Sequence, residues 1–467
     1  MSALDKSTRR KIFYGMVLLF AVVAPVALLY SRGYVFDRER RGLVVTGGIF
    51  VKTVQSGARV FVDSEFSKET SFISHGALIT NLIPRRYTVR VEKEGYQPWI
   101  KAVRVANEEV LEFRNVLLPP AAISSQPFFS RSAGKRVFWL DGRRALALES
   151  GDPVKGVTLS LIHADTGAVI GQLNGVARWQ WDEHSGSFII GRNAAGRARW
   201  YRATFSSSGI QEEPIVFRGL PEGFSADRVI PHPVRAGEVY FSAGGALFLQ
   251  GRATVPLAIA EQVHAYSVSG EHLYFISKNG FFAESDLIGG NTKLLGRKGL
   301  FLDEKAPAVI TISQAGDVAL LDAANGLFLY RPERSAELEL VASKVLGIDF
   351  SASGDRLLFW DERHLGVYWL RDNPFQPFDL AGTKKQIFSS DDPIRQAYLN
   401  EKGTHIFYAV DGALRMVEVD DRANANNYDL LKATVSSFVM DRRNLTLYWL
   451  ENPRTLYRAL FQPKPGA

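Results

Sequence analysis

Over most of this 467-residue chain, hydrophobic and polar positions alternate with a period of two. In "RYTVRVEKEGY", Tyr87, Val89 and Val91 fall on one face and Thr88, Arg90 and Glu92 on the other, which predicts a half-buried antiparallel strand. Val60 and Val62 alternate in the same way with Phe61 and Asp63 before polar turn residues. One stretch breaks the rule. "IFYGMVLLFAVVAPVALLY", Ile12 to Tyr30, carries no charge over 19 residues and shows no polar face. As a helix it would span roughly 28 Å, close to a hydrocarbon core. Tyr14 and Tyr30 sit near its ends, where amphipathic rings prefer the interface, and Pro25 is tolerated in a membrane helix.

A cleaved signal peptide is the rival to a membrane anchor. It would have a shorter apolar region and a small-x-small cleavage site. Here Ala27-Leu28-Leu29-Tyr30-Ser31-Arg32 places large residues where a peptidase needs small ones. We therefore expect an uncleaved signal anchor over 12–30 after a head of residues 1–11. The four basic residues of that head, Lys6, Arg9, Arg10 and Lys11, favour its staying in the cytoplasm. Basic residues that follow the span weigh the other way without reversing this. The bulk of the chain would then lie outside the cytoplasmic membrane, in a periplasm or at a cell surface.

A charged neck, residues 31–42, leads into a small β-rich region over 43–118. The succession "SGARVFVDS" and "LIPRRYTVRVEKEGYQPW" resembles a PEGA domain, a small β-sandwich-like module. Gly57-Ala58 matches the second half of the name-giving tetrad, while Gln55-Ser56 stand where Pro-Glu would. Val62-Asp63-Ser64 stands for a hydrophobic-Asp-Gly turn, and Pro84-Arg85-Arg86-Tyr87 for Pro-Gly-x-Tyr. Gly95-Tyr96 followed by Trp99 fits the closing signature. The resemblance implies an extracytoplasmic adhesion or spacer module without known catalysis. Tyr87, Tyr96 and Trp99 are expected to be core aromatics.

Residues 119–126 read as a linker. From 127 to 463 the chain repeats itself loosely, as in "LGIDFSASGDRLLFWDERHLGVYWL" and "IRQAYLNEKGTHIFYAVDGALRMVEV". Each copy has a short apolar strand, a polar turn, an aromatic-rich strand, a second turn and another strand. Eight copies give about 42 residues each, the period of a four-stranded propeller blade; seven blades would need about 48. The "SxSGxxLxFW"-like turns resemble TolB-type and WD-like propellers, without the strict Gly-His and Trp-Asp signatures. The fold class expected is therefore mainly β: a transmembrane helix, a PEGA-like β-sandwich and a β-propeller, with a tail at 464–467. The simplest closure pairs the first and last strands of the repeat region. A β-sandwich array is the alternative.

The net charge of +7 invites a nucleic-acid reading, which its location removes. Residues 1–11 carry four basic side chains against Asp5, and 31–42 carry four against Asp37 and Glu39, so 3 + 2 = 5 of the 7 charges flank the span. No nucleic-acid partner is expected. The absence of cysteine excludes disulfides, thiolate metal sites and Cys nucleophiles. The histidines (His75, His163, His184, His232, His264, His272, His364, His405) form no His-x-His, His-x-x-x-His or HExxH spacing. His163 and Asp165 read as a strand-to-turn pair, and His264 and His272 as loop residues across a hairpin. Asp182, Asp317, Asp355, Asp361 and Asp411 read as turn formers rather than calcium ligands. Trp139, Trp179, Trp181, Trp360, Trp369 and Trp449 read as blade core, with a sugar-binding face as the alternative. No catalytic, cofactor-binding or metal residue is assigned, and no cofactor is expected.

These features point to a single-pass, membrane-anchored bacterial envelope protein. It would contact membrane lipid through 12–30 and act by binding an envelope protein or cell-wall polymer, without catalysis. The alternative is a glycan- or peptide-processing enzyme with converging carboxylates in the propeller channel. Fold alone does not name a ligand.

Overall fold

The computed structural model describes residues 6–461 apart from 32, 38–40, 131–133, 141, 153, 195, 207–208, 221–224, 252–254, 297–299, 304–307, 335–336 and 452–454. Asp5 of the head, Arg32, Arg38, Glu39 and Arg40 of the neck, and the tail lie outside the described residues.

The uncharged stretch belongs to one helix, Lys6–Ser31, whose first turns carry the four basic residues. None of its residues is buried, and it is long and apolar enough to cross a membrane, as a signal sequence near an N-terminus also is. The strands Tyr34–Asp37 and Gly42–Val45 then form an antiparallel ribbon. Thr46 fixes the start of the next strand: its backbone N–H and its hydroxyl both donate to the Gly33 carbonyl, each at 2.8 Å.

Two compact units follow from the packing. The first takes in the chain as far as Ala122 together with Asn373–Asp379 and Asp420–Asn426; the second holds the remainder. The first unit is a sandwich. One sheet orders Gly76–Leu82, Gly47–Thr53 and Val110–Val116, the last two parallel. The other orders Glu65–Glu69, Arg59–Val62, Arg86–Glu92 and Trp99–Arg104. The period-two pattern decides which residues meet between them. Tyr87, Val89 and Val91 turn inward to join Ile49, Val51, Val60, Trp99 and Phe113 in a core, with Tyr96 packed against it. Trp99 and Phe113 meet edge to face at 5.0 Å, a favoured aromatic geometry. Gly47 has to be glycine: a Cβ there would lie 2.3 Å from the Ala106 carbonyl oxygen.

Among the described residues the second unit contains eight four-stranded antiparallel sheets. Seven are meanders in chain order, beginning with Gly134–Leu140, Ala145–Asp152, Gly156–His163 and Val169–Val176. The eighth takes Val435–Asp441, Thr446–Glu451 and Thr455–Leu460 from the end of the chain. Its fourth strand, Gln126–Phe129, comes from the start of the unit. Gln126 pairs with Arg458 and Pro127 with Tyr457, which is the first-to-last pairing anticipated for closure.

The sheets pack face to face in sequence. Leu159 and Leu161 of the first meet Phe188 and Ile190 of the second; Ile189 and Trp200 of the second meet Val229 and Phe241 of the third. Tyr240 and Leu247 meet Tyr266 and Leu273 of the fourth. Tyr274 and Ile276 meet Leu320 and Tyr330 of the fifth, and Leu329 meets Leu357 and Tyr368 of the sixth. The first strands of the sixth, seventh and eighth sheets touch one another in turn. Val439, Tyr448 and Leu450 of the eighth pack on Val137, Leu146 and Leu148 of the first. The unit is a closed β-propeller. Trp360, Trp369 and Trp449 are buried in it, and the half-buried Trp139, Trp179 and Trp181 pack on its clusters, as core residues do.

Tyrosine hydroxyls stitch one sheet to the next. Tyr240 donates to the Leu287 carbonyl (2.7 Å), Tyr330 to Glu284 (3.0 Å), Tyr368 to Glu339 (3.0 Å) and Tyr448 to the Ala164 carbonyl (2.9 Å). Asp349 of the sixth sheet adds a charged tie. It accepts from the Leu399 N–H (2.8 Å) in the seventh sheet and from Arg442 (2.5 Å) beyond the first strand of the eighth. Burial pushes the Asp349 carboxyl above its ordinary range against the pull of Arg442.

Burial also pushes the phenols of Tyr368, Tyr398, Tyr408 and Tyr448 up to about 12 from an ordinary 10. A raised folded-state value means stability that is complete below the unfolded value and lost as pH climbs through the folded one. The propeller should therefore hold its melting temperature up to about pH 10 and lose it between about pH 10 and 12. Tyrosinate absorbance should rise together with loss of the β circular dichroism signal. Ionisation of Tyr368 and Tyr448 with the fold intact would contradict the stitching.

Candidate interaction site

The residues singled out from the sequence are dispersed. Asp182 accepts from Ser185, Asp355 from Ser351 and Ser353, and Asp361 from the Arg363 N–H and from His364. Asp317 pairs with Arg371 at 3.0 Å, and Asp411 with Arg395. These are turn-forming and ion-pairing roles. Among the described residues no three His, Asp or Glu side chains gather as they would around a metal ion.

His163 caps its turn by accepting from the Asp165 N–H, and His75 bonds the Val54 carbonyl. His232 and His405 are buried, and His184 is exposed. His264 and His272 do not meet. They lie near opposite ends of the paired strands Val263–Ser269 and His272–Ser277, and on strands rather than loops. There Ser269 pairs with His272 and Val263 with Ser277, so the hairpin holds the two rings apart. His272 instead contacts Glu284 at 2.9 Å.

Polar side chains converge in the first unit. Each of its sheets ends in an edge strand on the same side of the core: Trp99–Arg104 and Val110–Val116. An open strand edge leaves backbone donors and acceptors unpaired and invites association. Here the segments 373–379 and 420–426 cover it. The Gln376 carboxamide reproduces a strand's pattern, donating to the Val110 carbonyl and accepting from the Glu112 N–H, both at 3.0 Å. Arg422 donates to the Glu112 carbonyl (2.8 Å), to Gln376 (3.0 Å) and to Asp420 (2.5 Å), with its guanidinium 4.4 Å from the Phe113 ring centre. Arg114 lies in the same way over Phe375, at 4.7 Å.

Lys101 completes this seam. It shares a strand face with Trp99 and Val103, so the pleat turns it inward, and its side chain is 0% exposed. A buried ammonium needs partners. It donates to the carbonyls of Asp420 (2.6 Å) and Arg422 (2.8 Å), with the Asp420 carboxylate at 3.8 Å. Burial raises the Asp420 carboxyl, but the Arg422 hydrogen bond and the charges of Lys101 and Arg422 outweigh it and hold it below the ordinary value. The Arg114 hydrogen bond likewise holds Glu112 down.

Beside the seam opens a cavity of about 470 Å³. Val103, Leu111 and Phe113 give it apolar walls, and Arg86, Arg104 and Arg422 bring positive charge. Arg86 and Arg104 stand directly opposite each other in the register of their two strands. Pro84-Arg85-Arg86-Tyr87 reads as a turn in the sequence, whereas Arg86 begins the strand Arg86–Glu92 and Arg104 ends the strand Trp99–Arg104. The alternation of Trp99, Lys101 and Val103 is the signal in the sequence that points to Lys101 on the core face. Gln376 and Arg422 gave no signal, because loop residues acquire a role only through long-range folding.

Comparison with known proteins agrees on the small unit. The family model described as the PEGA domain matches residues 46–120. No curated protein matches the chain. Among solved structures, the computationally designed Ika8 protein is similar at 12% identity, covering 72% of this chain and 99% of its own, with a TM-score of 0.46. Sqt1 of Saccharomyces cerevisiae is similar at 11% identity over 74% of this chain and 100% of its own, with a TM-score of 0.47. The Cps50 (Swd1) β-propeller domain of Myceliophteria thermophila is similar at 12% identity over 70% and 97%, with a TM-score of 0.43. The propeller assignment rests on the sheet order and closure described above.

Replacing Lys101 with Ala should strand the carbonyls of Asp420 and Arg422 and cost about 1.5–3 kcal/mol per lost charged hydrogen bond. Hydrogen exchange of the full chain should quicken in 420–426 and along Val110–Val116, with the propeller strands unaffected. Unchanged exchange in both segments would show that Lys101 does not hold the seam.

Proposed function

We propose that this chain is a membrane-anchored protein of the bacterial cell envelope that works by contact. Residues 12–30 stay in the cytoplasmic membrane with the basic head inside. The PEGA domain stands next to the span, and the propeller presents loops to an envelope protein or wall polymer. The observation that carries this reading is the order of parts: a membrane-length helix, then a short β-ribbon and a PEGA domain, then a closed propeller. Two further features support it. Five of the seven net positive charges flank the span, where anionic headgroups and topology account for them. The polar clusters described above are turn caps and seams, which fit a rigid scaffold that displays loops.

Two measurements test the proposal. The full-length protein should stay with membranes through high-salt and carbonate washing; a mature soluble form starting after residue 30 would mean a cleaved signal instead. Cross-linking in intact cells should recover an envelope protein or wall polymer, and the purified full chain should bind it without metal or nucleotide. Saturable hydrolysis of a glycan or peptide, abolished by a single substitution at the propeller channel, would replace the scaffold with an enzyme.

A further inference from the structure

The cavity of the first unit lies at the end where the helix enters. Tyr30, the last residue of the uncharged stretch, accepts a hydrogen bond from Asn81 Nδ2 at 3.1 Å. Gly33 is tied to Thr46, immediately before the strand Gly47–Thr53. Leu82, one residue beyond Asn81, pairs with Gly47. Arg86 begins the strand that follows the next turn, and Arg104 ends the strand paired with it. The helix exit, the turn at 83–85 and the Arg86–Arg104 pair therefore share one end of the sandwich.

Like charges directly opposite each other on antiparallel strands destabilise the pair. The nearby Arg85 is neutralised by Asp63 at 2.7 Å, and Arg422 by Asp420. Among the described residues no carboxylate pairs with Arg86 or Arg104. Glu108 and Glu109 lie on the adjoining turn but do not line the cavity. Two unneutralised guanidinium groups at the rim of an apolar-walled cavity form a receptor for an anion that brings apolar surface with it. Planar guanidinium groups suit phosphate oxygens in particular.

We propose that Arg86 and Arg104 bind the phosphate of an anionic phospholipid headgroup from the membrane that holds the helix, and so hold the PEGA domain down on the bilayer. This rests on residues 12–30 remaining as an anchor; carbonate extraction tests the anchor, and the binding experiment below tests the cavity independently.

The experiment uses the full chain in a non-ionic detergent, titrated with short-chain phosphatidylglycerol, short-chain phosphatidylcholine and inorganic phosphate. Phosphatidylglycerol should bind most tightly. The double variant R86A/R104A should weaken it about tenfold or more, consistent with the loss of two charge-assisted contacts. R59A, which removes an exposed arginine elsewhere on the same sheet, should leave binding unchanged. R104A without lipid should melt at the same temperature as the parent or higher, because it removes a repulsion. A lower melting temperature would mark a structural role and overturn the proposal. Unchanged phosphatidylglycerol binding by the double variant would overturn it as well. Inorganic phosphate binding as tightly as lipid would overturn the lipid as ligand and assign the site to a soluble phosphate.

Discussion

The pairing of Gln126–Phe129 with Thr455–Leu460 is the constraint on which the propeller depends. A four-stranded sheet cannot bury both of its faces alone, so every sheet needs two neighbours. Of the eight sheets among the described residues, seven obtain their strands from one stretch of chain. The eighth does not, and its outer strand arrives from more than three hundred residues earlier. Without that strand, Thr455–Leu460 would be an open edge. With it, chain start and chain end are held in one sheet, and Val439, Tyr448 and Leu450 can cover Val137, Leu146 and Leu148. The ring is closed by hydrogen bonds along one strand and by apolar packing between first and last sheets, and neither suffices without the other.

Polar groups inside this ring fix how the sheets meet. The apolar clusters supply most of the driving force but little direction, since such packing tolerates sliding. A buried hydroxyl or carboxylate tolerates much less, because a misplaced partner leaves it unsatisfied. The tyrosine contacts between sheets and the Asp349–Arg442 tie therefore act as registers more than as sources of stability. In the PEGA unit Lys101 does the same for the 420–426 segment: its ammonium accepts only an arrangement that brings two carbonyls to it.

Much of the fold was legible in the sequence because it is written in short-range pattern. The alternation of Tyr87, Val89 and Val91 identified a core strand, the uncharged run over 12–30 identified the helix, and the recurring strand-turn-strand units identified the propeller. What could not be read was contact between segments far apart in the chain. His264 and His272 read as loop residues across a hairpin, yet both lie on its paired strands, where the register separates them. Gln376 looked like any loop glutamine, although its carboxamide satisfies the backbone of an edge strand some 264 residues away. The arginine cavity was hidden for a similar reason. Arg86 and Arg104 are ordinary surface letters until the register places them face to face.

The composition of the PEGA unit also imposes an order in time. Most of it is made within the first 122 residues, but Asn373–Asp379 and Asp420–Asn426 belong to it too. A chain made from its N-terminus presents Trp99, Lys101 and the Val110–Val116 edge long before residue 426 exists. Throughout that interval the edge strand is uncovered and the lysine has no carbonyls to receive it. The nascent protein thus passes through a stage in which its first domain is built but unsealed, when a chaperone or a second nascent chain could occupy the edge. Maturation of the N-terminal domain is set by the arrival of the C-terminal part of the chain.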